Sequence, residues 1–338
     1  MYIWIDLANS PHVPFFRALH DEFVALGHKV TFTARDFAET VPLAQQSGIS
    51  ATVIGTHGGR QLAGKAGNIA GRSWELAQWA RKRGFDLALS HNSYAQILAA
   101  RASGLNTVTL MDYEYQPANH LAFRLSSRVI VPACFPAEQL KSYGAGHEKV
   151  RRYGGTKEDV YLGDFEVNPA FKSQLTTLGI GPEEILVLMR PPARDALYHR
   201  FENTLFDQVL RKALATENVK VLLLPRGEAQ RRHYASTPER KLIVAEHPLP
   251  GADLIAHSDL IVSAGGTINR EAAALGIPAA SVYVGKWAAV DQMLLDEGRL
   301  TRITSTDDVQ SLKIEKKEKM IMRRATEVRA EVVRLILE

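Results

Sequence analysis

The stretch that decides the fold is Asp259–Pro278, which reads DLIVSAGGTINREAAALGIP and is followed at once by the apolar run Ala279–Val284. The apolar residues on either side predict two buried strands, and the Ala-rich segment between them predicts a helix that ends at Gly276. The pair Gly265-Gly266 lies where the first strand becomes the helix. Backbone N–H groups at such a helix start are unpaired and carry partial positive charge, so they suit a phosphate group.

The glycine pair has other interpretations. A glycine pair between strand and helix is also common as a tight turn that binds nothing, and that alternative stays open on the local pattern. The spacing is not G-x-G-x-x-G, so the fingerprint of dinucleotide dehydrogenases is absent. Glu271 follows about one helical turn later, where a carboxylate can accept hydrogen bonds from a sugar diol. The combination indicates a nucleotide that carries a diphosphate.

Composition limits the class of protein. The chain has 338 residues, of which 46% are hydrophobic and 23% charged, and this suits a protein of two ordinary globular domains. No apolar run reaches the ~20 residues of a membrane span, and we expect the N-terminus to enter a strand without a signal peptide. The single cysteine, Cys134, excludes an internal disulfide framework and a cysteine-rich metal site. We therefore expect a cytoplasmic protein.

The formal net charge of +4 is a mild basic excess. The clusters Arg81–Arg83 and Lys316–Lys317 are interpreted as solvated helix faces, because no aromatic residues interleave with them and no nucleic-acid motif is present. No nucleic-acid partner is expected. A basic face would suit anionic substrates or an acidic membrane surface equally well.

Short apolar strands alternate with helical segments in the first half, which predicts a parallel sheet covered on both faces and doubly wound. The expected strands are Tyr2–Leu7, Lys29–Ala34, Ala51–Gly55, Asp86–Ser90, Thr107–Met111 and Arg128–Val131. The expected helices are Val13–Leu26, Ala38–Ser47, Ser73–Arg83 and Tyr94–Ser103, with a polar, Gly-rich loop over Thr56–Gly71.

The second half repeats this alternation after a segment rich in Gly and Pro. Its other expected elements are the strands Ile185–Met189, Val219–Leu224 and Leu242–Ala245 and the helices Leu197–Ala215 and Ser311–Leu337. The predicted fold is α/β, with two doubly wound Rossmann-like domains facing across a cleft. The expected domains are 1–165, completed by a C-terminal helix over 315–338, and 183–312, with 166–182 as the linker.

Ligands of such folds bind beyond the carboxyl ends of the strands. The loops expected there are Asp6–Pro14, His91–Tyr94, Asp112–His120, Arg190–His199, Arg226–His233, His247–Asp253 and Ser263–Thr267. Their convergence is the main sequence argument for a binding site.

Several of these motifs carry a family resemblance. Ser263–Pro278, with His247–Pro250 and Asp253–Asp259 before it, resembles the nucleotide-binding half of GT-B glycosyltransferases. It is similar to the lipid-linked N-acetylglucosaminyltransferase of peptidoglycan synthesis and to the non-hydrolysing UDP-N-acetylglucosamine 2-epimerases. Nearly the whole chain also resembles an archaeal and bacterial family catalogued as a domain of unknown function, through the motifs Trp4–His12, Gly155–Leu162, Arg190–Ala193 and Ser263–Thr267.

The resemblance implies roles for the second half of the chain. It implies that Glu271 binds the ribose hydroxyls, that His247–Asp253 frames the base and that Arg190 neutralises phosphate. It implies a diphosphate held by Ser263, Gly265, Gly266 and Thr267. The chain departs from the epimerases by the inserted Ala264, by the spacing of Glu271 and by the absence of their acidic catalytic set. These departures favour transfer over epimerisation.

Sugar transfer needs a base for the acceptor hydroxyl or charge stabilisation of the leaving diphosphate. The catalytic candidates follow predicted strands and are His12, Asp112 and Glu114. The acceptor-side candidates are Asp6, Asn9, His91, Asn92, Asn119 and His120. The alternative that Asn9–Pro11 only caps the first helix, with His12 packed against it, stays open.

One glycine-rich motif lacks a residue that a phosphate-binding loop requires. Gly59–Ala66 fits G-x-x-x-x-G-K, but Ala66 stands where such a loop needs Ser or Thr to hold Mg²⁺. It is interpreted as a mobile basic loop. No His/Asp/Glu spacing indicates a metal site, so neither a metal nor another cofactor is expected.

The predicted function is binding of a nucleotide-sugar, with UDP as the expected nucleotide, and transfer of the sugar to a glycan or lipid-linked acceptor. The inner membrane face is one place where such an acceptor would be met. The alternatives are an epimerase or hydrolase that acts on the nucleotide-sugar without an acceptor, and a nucleotide-binding scaffold without catalysis. The sequence leaves the sugar, the stereochemical outcome and the oligomeric state open.

Overall fold

The structure is a computed structural model that describes residues 1–37, 39–56, 62–192, 204–237, 239–247 and 249–338. The chain forms two compact units. The first comprises Met1–Gly163, Ala288–Val290 and Ala325–Glu338, and the second comprises Asp164–Trp287 and Asp291–Arg324.

Each unit contains one parallel sheet. The strands of the first are β1 (Tyr2–Leu7), β2 (Lys29–Asp36), β3 (Ala51–Thr56), β4 (Leu87–Ser90), β5 (Asn106–Leu110), β6 (Arg128–Pro132) and β7 (Val150–Tyr153). Those of the second are β8 (Ile185–Arg190), β9 (Val219–Leu223), β10 (Leu242–Val244), β11 (Leu260–Ser263), β12 (Ala279–Ser281) and β13 (Thr301–Arg302). The spatial orders are β3-β2-β1-β4-β5-β6-β7 and β10-β9-β8-β11-β12-β13.

Helices connect these strands. The described helices are α1 (His12–Ala25), α2 (Thr40–Gln46), α3 (Leu62–Ala80), α4 (Tyr94–Ala102), α5 (Asn119–Leu125), α6 (Ala137–Ser142), α7 (Lys157–Leu162), α8 (Phe171–Thr177), α9 (Leu205–Ala215), α10 (Glu228–Ala235), α11 (Gly251–His257), α12 (Gly266–Leu275), α13 (Ala289–Asp296), α14 (Thr306–Ser311) and α15 (Glu327–Leu337).

The first sheet is covered on both faces, as its apolar strands predict. Side chains alternate along β1, so Ile3, Ile5 and Leu7 pack in one apolar cluster while Trp4 packs in another. All four are fully buried. A strand buried on both faces reads as a continuous apolar run, which is why these strands were predictable. The doubly wound fold is confirmed for each unit.

Two predicted segments are wrong. The polar loop expected over Thr56–Gly71 is helical from Leu62 onward, in α3, so the tertiary environment overrides the low helix propensity of its glycines. For the motif Gly59–Ala66, positions 62–66 belong to this helix and the earlier ones lie outside the described residues. The loop expected over Arg226–His233 likewise becomes α10 from Glu228.

The long C-terminal helix expected over Ser311–Leu337 is also wrong, because only Glu327–Leu337 forms a helix after α14. The non-helical segment between them is attached to the second unit. Lys317 Nζ donates to the carbonyls of Ala256 and Ser258 at 2.6 Å each, and Arg323 N–H donates to Ala274 O at 2.9 Å. Residues up to Arg324 therefore group with the second unit, not with the first as the predicted domain 1–165 plus 315–338 assumed.

Shorter elements lie where the sequence indicated connections. The expected linker 166–182 contains α8 (Phe171–Thr177), and the expected loop Asp112–His120 ends inside α5 (Asn119–Leu125). Isolated helices of this length are marginal in water, so their local sequence carries little signal.

Candidate functional site

In each unit the strand order reverses direction at one point, between β1 and β4 in the first and between β8 and β11 in the second. Loops leaving the sheet in opposite directions at such a point form the usual ligand crevice of open α/β sheets. The predicted site residues His12 and His91 follow β1 and β4, whereas Arg190 and Gly265 stand at the ends of β8 and β11.

The start of α12 is open to a ligand. Gly265 is its N-cap with extended backbone, and no described side chain caps the helix. Gly265 N–H donates to Ser263 Oγ at 2.9 Å, so Ser263 orders the turn. Residues 265–267 are only partly buried. The first-turn amides of α12, with their partial positive charge, therefore remain available to an anion.

Arg226, in the loop after β9, lies against this glycine turn. A Cβ added at Gly265 would stand 2.8 Å from Arg226 Nη2, so the guanidinium occupies the space that a side chain would take. Arg226 Nε donates to Pro191 O at 2.9 Å, and Gln230 Nε2 donates to Pro192 O at 2.8 Å. These bonds hold the arginine beside the turn by tying the loops after β8 and β9 together.

Arg190 is the second arginine at this place. Its Cα pairs with Ser263 across neighbouring strands, and its Nε is buried without a hydrogen-bond partner among the described residues. Burial lowers the pKa of Arg190, while the charge of Glu271 opposes that shift. The structure thus brings the predicted residues Arg190, Ser263, Gly265 and Glu271 together, with Gly266 and Thr267 as the first two residues of α12. Of the expected base-framing segment His247–Asp253, Pro248 lies outside the described residues.

The first unit contains a chain of ionisable groups, of which His91, Asp112, Lys157 and Glu158 are buried. His12 opens α1 and its ring lies 5.1 Å from that of His91, centroid to centroid. His91 Nε2 lies 3.6 Å from Asp112 Oδ1, and Lys157 Nζ lies 3.3 Å from Asp112 Oδ2. Lys157 Nζ is also 3.4 Å from Glu158 Oε1.

This environment favours the neutral form of His12. Burial holds the pKa of His12 well below its ordinary value; interaction with His91 and Lys157 lowers it further, and Asp112 acts in the opposite direction. A neutral imidazole can accept a proton, which is what a general base requires.

Amide side chains form a second group beside these residues. Asn92 has left-handed backbone with φ 57° and donates through Nδ2 to Asn119 Oδ1 at 2.9 Å and Tyr94 Oη at 2.8 Å. Asn119 Nδ2 donates in turn to Tyr113 O at 3.1 Å. His120 lies on the exposed side of α5 against Tyr143. Asn92 and Asn119 are therefore brought together, and His120 is not part of their network.

Hydrogen bonds within the first unit hold three more of the predicted residues: Glu114, Asp6 and Asn9. Glu114 is 1% exposed, and its Oε1 accepts the N–H of Ala289 at 2.8 Å within the first unit. Asp6 is fully buried and accepts hydrogen bonds from Nη1 and Nη2 of Arg72 at 2.8 Å each. Asn9 accepts the N–H of His12 through its carbonyl at 3.0 Å, so it forms the turn before α1.

Three charged residues at these places had no predicted role: Arg72, Lys157 and Arg226. Arg72 and Arg226 carry no local motif, and their partners are distant in sequence. Lys157 could have been found, because it stands in Gly155–Leu162, a motif on which the family resemblance rests. A Thr156–Asp159 capping box begins α7 there.

Among the residues that the structure describes, no helix is both long and apolar enough to cross a membrane. Within the same residues, no group of three or more His, Cys, Asp or Glu side chains is arranged to hold a metal ion.

Matches to known proteins extend over nearly the whole chain. A model of the family described as "Protein of unknown function (DUF354)" matches residues 1–338. Uncharacterized protein MJ0665 of Methanocaldococcus jannaschii is 26% identical over 318 residues, which cover 92% of this chain and 89% of that protein.

Solved structures share the fold. UDP-GlcNAc 2-epimerase from Neisseria meningitidis bound to UDP-GlcNAc superposes with a TM-score of 0.77 at 16% identity, covering 98% of this chain and 99% of that one. The Methanocaldococcus jannaschii UDP-GlcNAc 2-epimerase in complex with UDP-GlcNAc and UDP gives 0.76 at 11% identity, covering 100% of both chains. Spinosyn rhamnosyltransferase SpnG gives 0.60 at 14% identity, covering 100% of this chain and 94% of that one. At these identities the likeness shows the fold, and the expected GT-B type is confirmed.

Proposed function

This chain belongs to the DUF354 family of proteins of unknown function, and we propose that it binds a nucleoside diphosphate sugar and transfers the sugar to an acceptor hydroxyl. One observation carries the proposal: the uncapped start of α12 at Gly265 is flanked by the guanidinium group of Arg226, and Arg190 stands beside Ser263 at the end of the neighbouring strand. Helix N-terminal amides and arginines are the groups that proteins use to bind phosphate.

The diphosphate is the moiety that these groups fit. A helix start supplies several N–H donors to one phosphate, and a guanidinium can bind two phosphate oxygens at once. Glu271 lies one turn into α12, where its carboxylate can accept from ribose hydroxyls. We propose UDP as the nucleotide, because two proteins of the same fold are described with UDP-GlcNAc and one of them also with UDP.

In the proposed transfer step, His12 acts as the base. The acceptor oxygen attacks the anomeric carbon of the sugar, its proton passes to the neutral imidazole, and the bond to the diphosphate breaks. The leaving diphosphate keeps the electron pair of that bond. Its added charge is stabilised by the α12 amides and the two arginines. Asp112 and Glu114 remain the proposed acidic groups, with Asn92 and Asn119 proposed to contact the acceptor.

The acceptor is proposed to be a glycan or a lipid-linked sugar, which would be met at the inner face of the membrane. The net charge of +4 suits an anionic acceptor and an acidic membrane surface equally well.

Thermal unfolding with nucleotides tests the binding site. UDP at about 100 times its Kd adds about 2.7 kcal/mol to the stability of the state that binds it, which raises the Tm by several degrees. G266D should remove that rise, because it places a carboxylate where the phosphate binds. R226A should reduce it for UDP more than for UMP, and R232A on the exposed side of α10 is the matched control. If UDP, GDP, CDP and TDP all leave the Tm of the wild-type protein unchanged, the binding site is misassigned.

A second candidate function is epimerisation of the nucleotide-sugar without an acceptor. The observation that favours it is the match over the full chain to UDP-GlcNAc 2-epimerases. Incubation of UDP-GlcNAc with the protein alone, followed by chromatography, separates the candidates, since conversion to the C2 epimer supports epimerisation. Release of UDP that requires an added glycan or lipid-linked acceptor supports transfer. H12Q should then abolish transfer and leave the UDP-induced Tm rise intact, whereas UDP binding with neither reaction would point to a non-catalytic scaffold.

A further inference from the structure

Lys157 is a buried lysine whose position is determined by the start of α7. Thr156 N–H donates to Asp159 Oδ2 at 2.7 Å and Asp159 N–H donates to Thr156 Oγ1 at 3.3 Å, so both ends of the first turn are held. Gly155 has φ +106°, and a Cβ there would stand 3.0 Å from Val328 Cγ2. These constraints direct the first residue of α7 inward, and Lys157 is 5% exposed.

The lysine lies at one end of a row of polar groups. Asp112 stands between two nitrogen groups, with Lys157 Nζ 3.3 Å from Oδ2 and His91 Nε2 3.6 Å from Oδ1. The ring of His91 faces that of His12 at 5.1 Å. The order of the row is therefore Lys157, Asp112, His91 and His12.

We propose that Lys157 is a positioning residue that keeps His91 and His12 neutral by supplying the positive charge that pairs with Asp112. The proposal deepens the proposed function and rests on it, because it gives the base of that reaction its unprotonated state. Lys157 itself touches no reacting atom in this assignment.

The charge balance of the row explains why the lysine matters. A buried carboxylate must be paired or take up a proton. With Lys157 present, Asp112 has an ammonium group 3.3 Å away and needs no positive charge from the imidazoles. Without it, the nearest group that can become cationic is His91, and a protonated His91 would leave its neighbour His12 a poorer proton acceptor.

Other ionisable groups face the row from the elements around it. Glu158 is fully buried beside Lys157. Tyr153 on β7 interacts electrostatically with Asp112, Glu158, Cys134 and Asp159, and its pKa is raised well above its ordinary value, chiefly by burial. The phenol is therefore uncharged and cannot replace the ammonium.

The test measures protonation directly, by NMR titration of the histidine rings in the full-length protein, with signals assigned through H12Q and H91Q. In the wild-type protein both rings should remain neutral at pH 6.5. In K157M the His12–His91 pair should bind its first proton at a pH higher by about 1–3 units, because a like charge is removed and the opposite charge of Asp112 then acts on the imidazoles alone. K157R, which keeps the charge, should restore the wild-type titration, and K141M on the exposed side of α6 should not move it.

The double variant K157M/E158Q controls for misfolding, because K157M leaves two buried carboxylates, Asp112 and Glu158, without their ammonium and E158Q removes one of these charges. It should still show an upward shift, because Asp112 remains. A wild-type pair that is already protonated at pH 6.5, or an unchanged titration in the folded variants, would overturn the proposal. Since the titration needs no substrate, it separates this proposal from the proposed function. If transfer activity is found, K157M should move the acidic limb of its pH profile to higher pH with little change in KM.

Discussion

Replacing Asp6 by Ala should remove about 3–5 kcal/mol from the free energy of unfolding of the first unit, the range for breaking one partner of a buried ion pair. Asp6 is fully buried and Arg72 is 6% exposed. Nη1 and Nη2 of Arg72 donate to the carboxylate at 2.8 Å each, and the hydroxyls of Thr33 and Ser93 donate to it as well. The Ala variant leaves all these donors without their acceptor.

The magnitude follows from the surroundings of Arg72. Its Nε donates to Ile54 O at 2.8 Å, and a Cβ at Gly55 would stand 2.7 Å from its Cδ, so the side chain has little room to move toward solvent. Two unit charges about 4 Å apart attract each other by about 4 kcal/mol at an effective dielectric constant of 20. That value agrees with the range expected for the Ala variant.

Urea unfolding followed by tryptophan fluorescence measures this loss. Of the four tryptophans, Trp287 is the one in the second unit, so a W287F background reports on the first unit alone. R72M removes the guanidinium that D6A leaves without its carboxylate partner. The double variant D6A/R72M should therefore lose less stability than the sum of the losses of the two single variants. A loss below about 1 kcal/mol for D6A, or additive losses, would refute the assigned ion pair, since directly interacting residues are expected to couple.

Two further predictions concern the second unit. Gly276 ends α12 with φ +71°, and a Cβ there would stand 2.2 Å from Ile321 O, whereas Gly298, with φ +68°, has no atom within 4 Å of such a Cβ. Both Gly→Ala variants should lose about 1–2 kcal/mol of unfolding free energy for the left-handed backbone. G276A should lose more than G298A in chemical denaturation, because the segment around Ile321 must move. Equal losses would contradict this contact. Burial lowers the pKa of Lys317 from 10.5 to about 8, so the folded unit binds fewer protons than the unfolded chain between these values, and its stability should rise with pH across that window. The difference in unfolding free energy between the wild-type protein and K317M should therefore grow in favour of the wild type from pH 8 to 10.5. K313M is the exposed control. A difference that does not change with pH would show that Lys317 is not buried in solution.

The strands were predictable because both faces of each sheet are buried and their residues form short apolar runs. Helix boundaries were harder. The sequence over 62–71 contains three glycines and reads as a loop, yet it forms part of α3. The segment after Ser311 looks helical from its charge and apolar spacing, but Lys316 donates to Pro182 O and Glu184 O. Those carbonyls lie more than 130 positions away in the chain, so no local pattern reveals them.

Part of the candidate site was also predictable from the sequence, and part was not. The turn at Gly265 and Gly266 was visible because one continuous stretch contains the strand, the glycines and the helix that form it. Arg226 and Lys157 were assigned no role, because each acts through partners on other elements. Asp6 was expected to face an acceptor, and its partner Arg72 is 66 positions away.

The sequence by itself determined two parallel α/β sheets and a glycine turn that starts a helix, because apolar periodicity and backbone freedom are local properties. Only the tertiary structure decided which charges are paired and which remain available. The pairing of Asp6 with Arg72 and of Asp112 with Lys157 depends on distances between strand ends and helix starts, and those distances exist only after the sheet has formed.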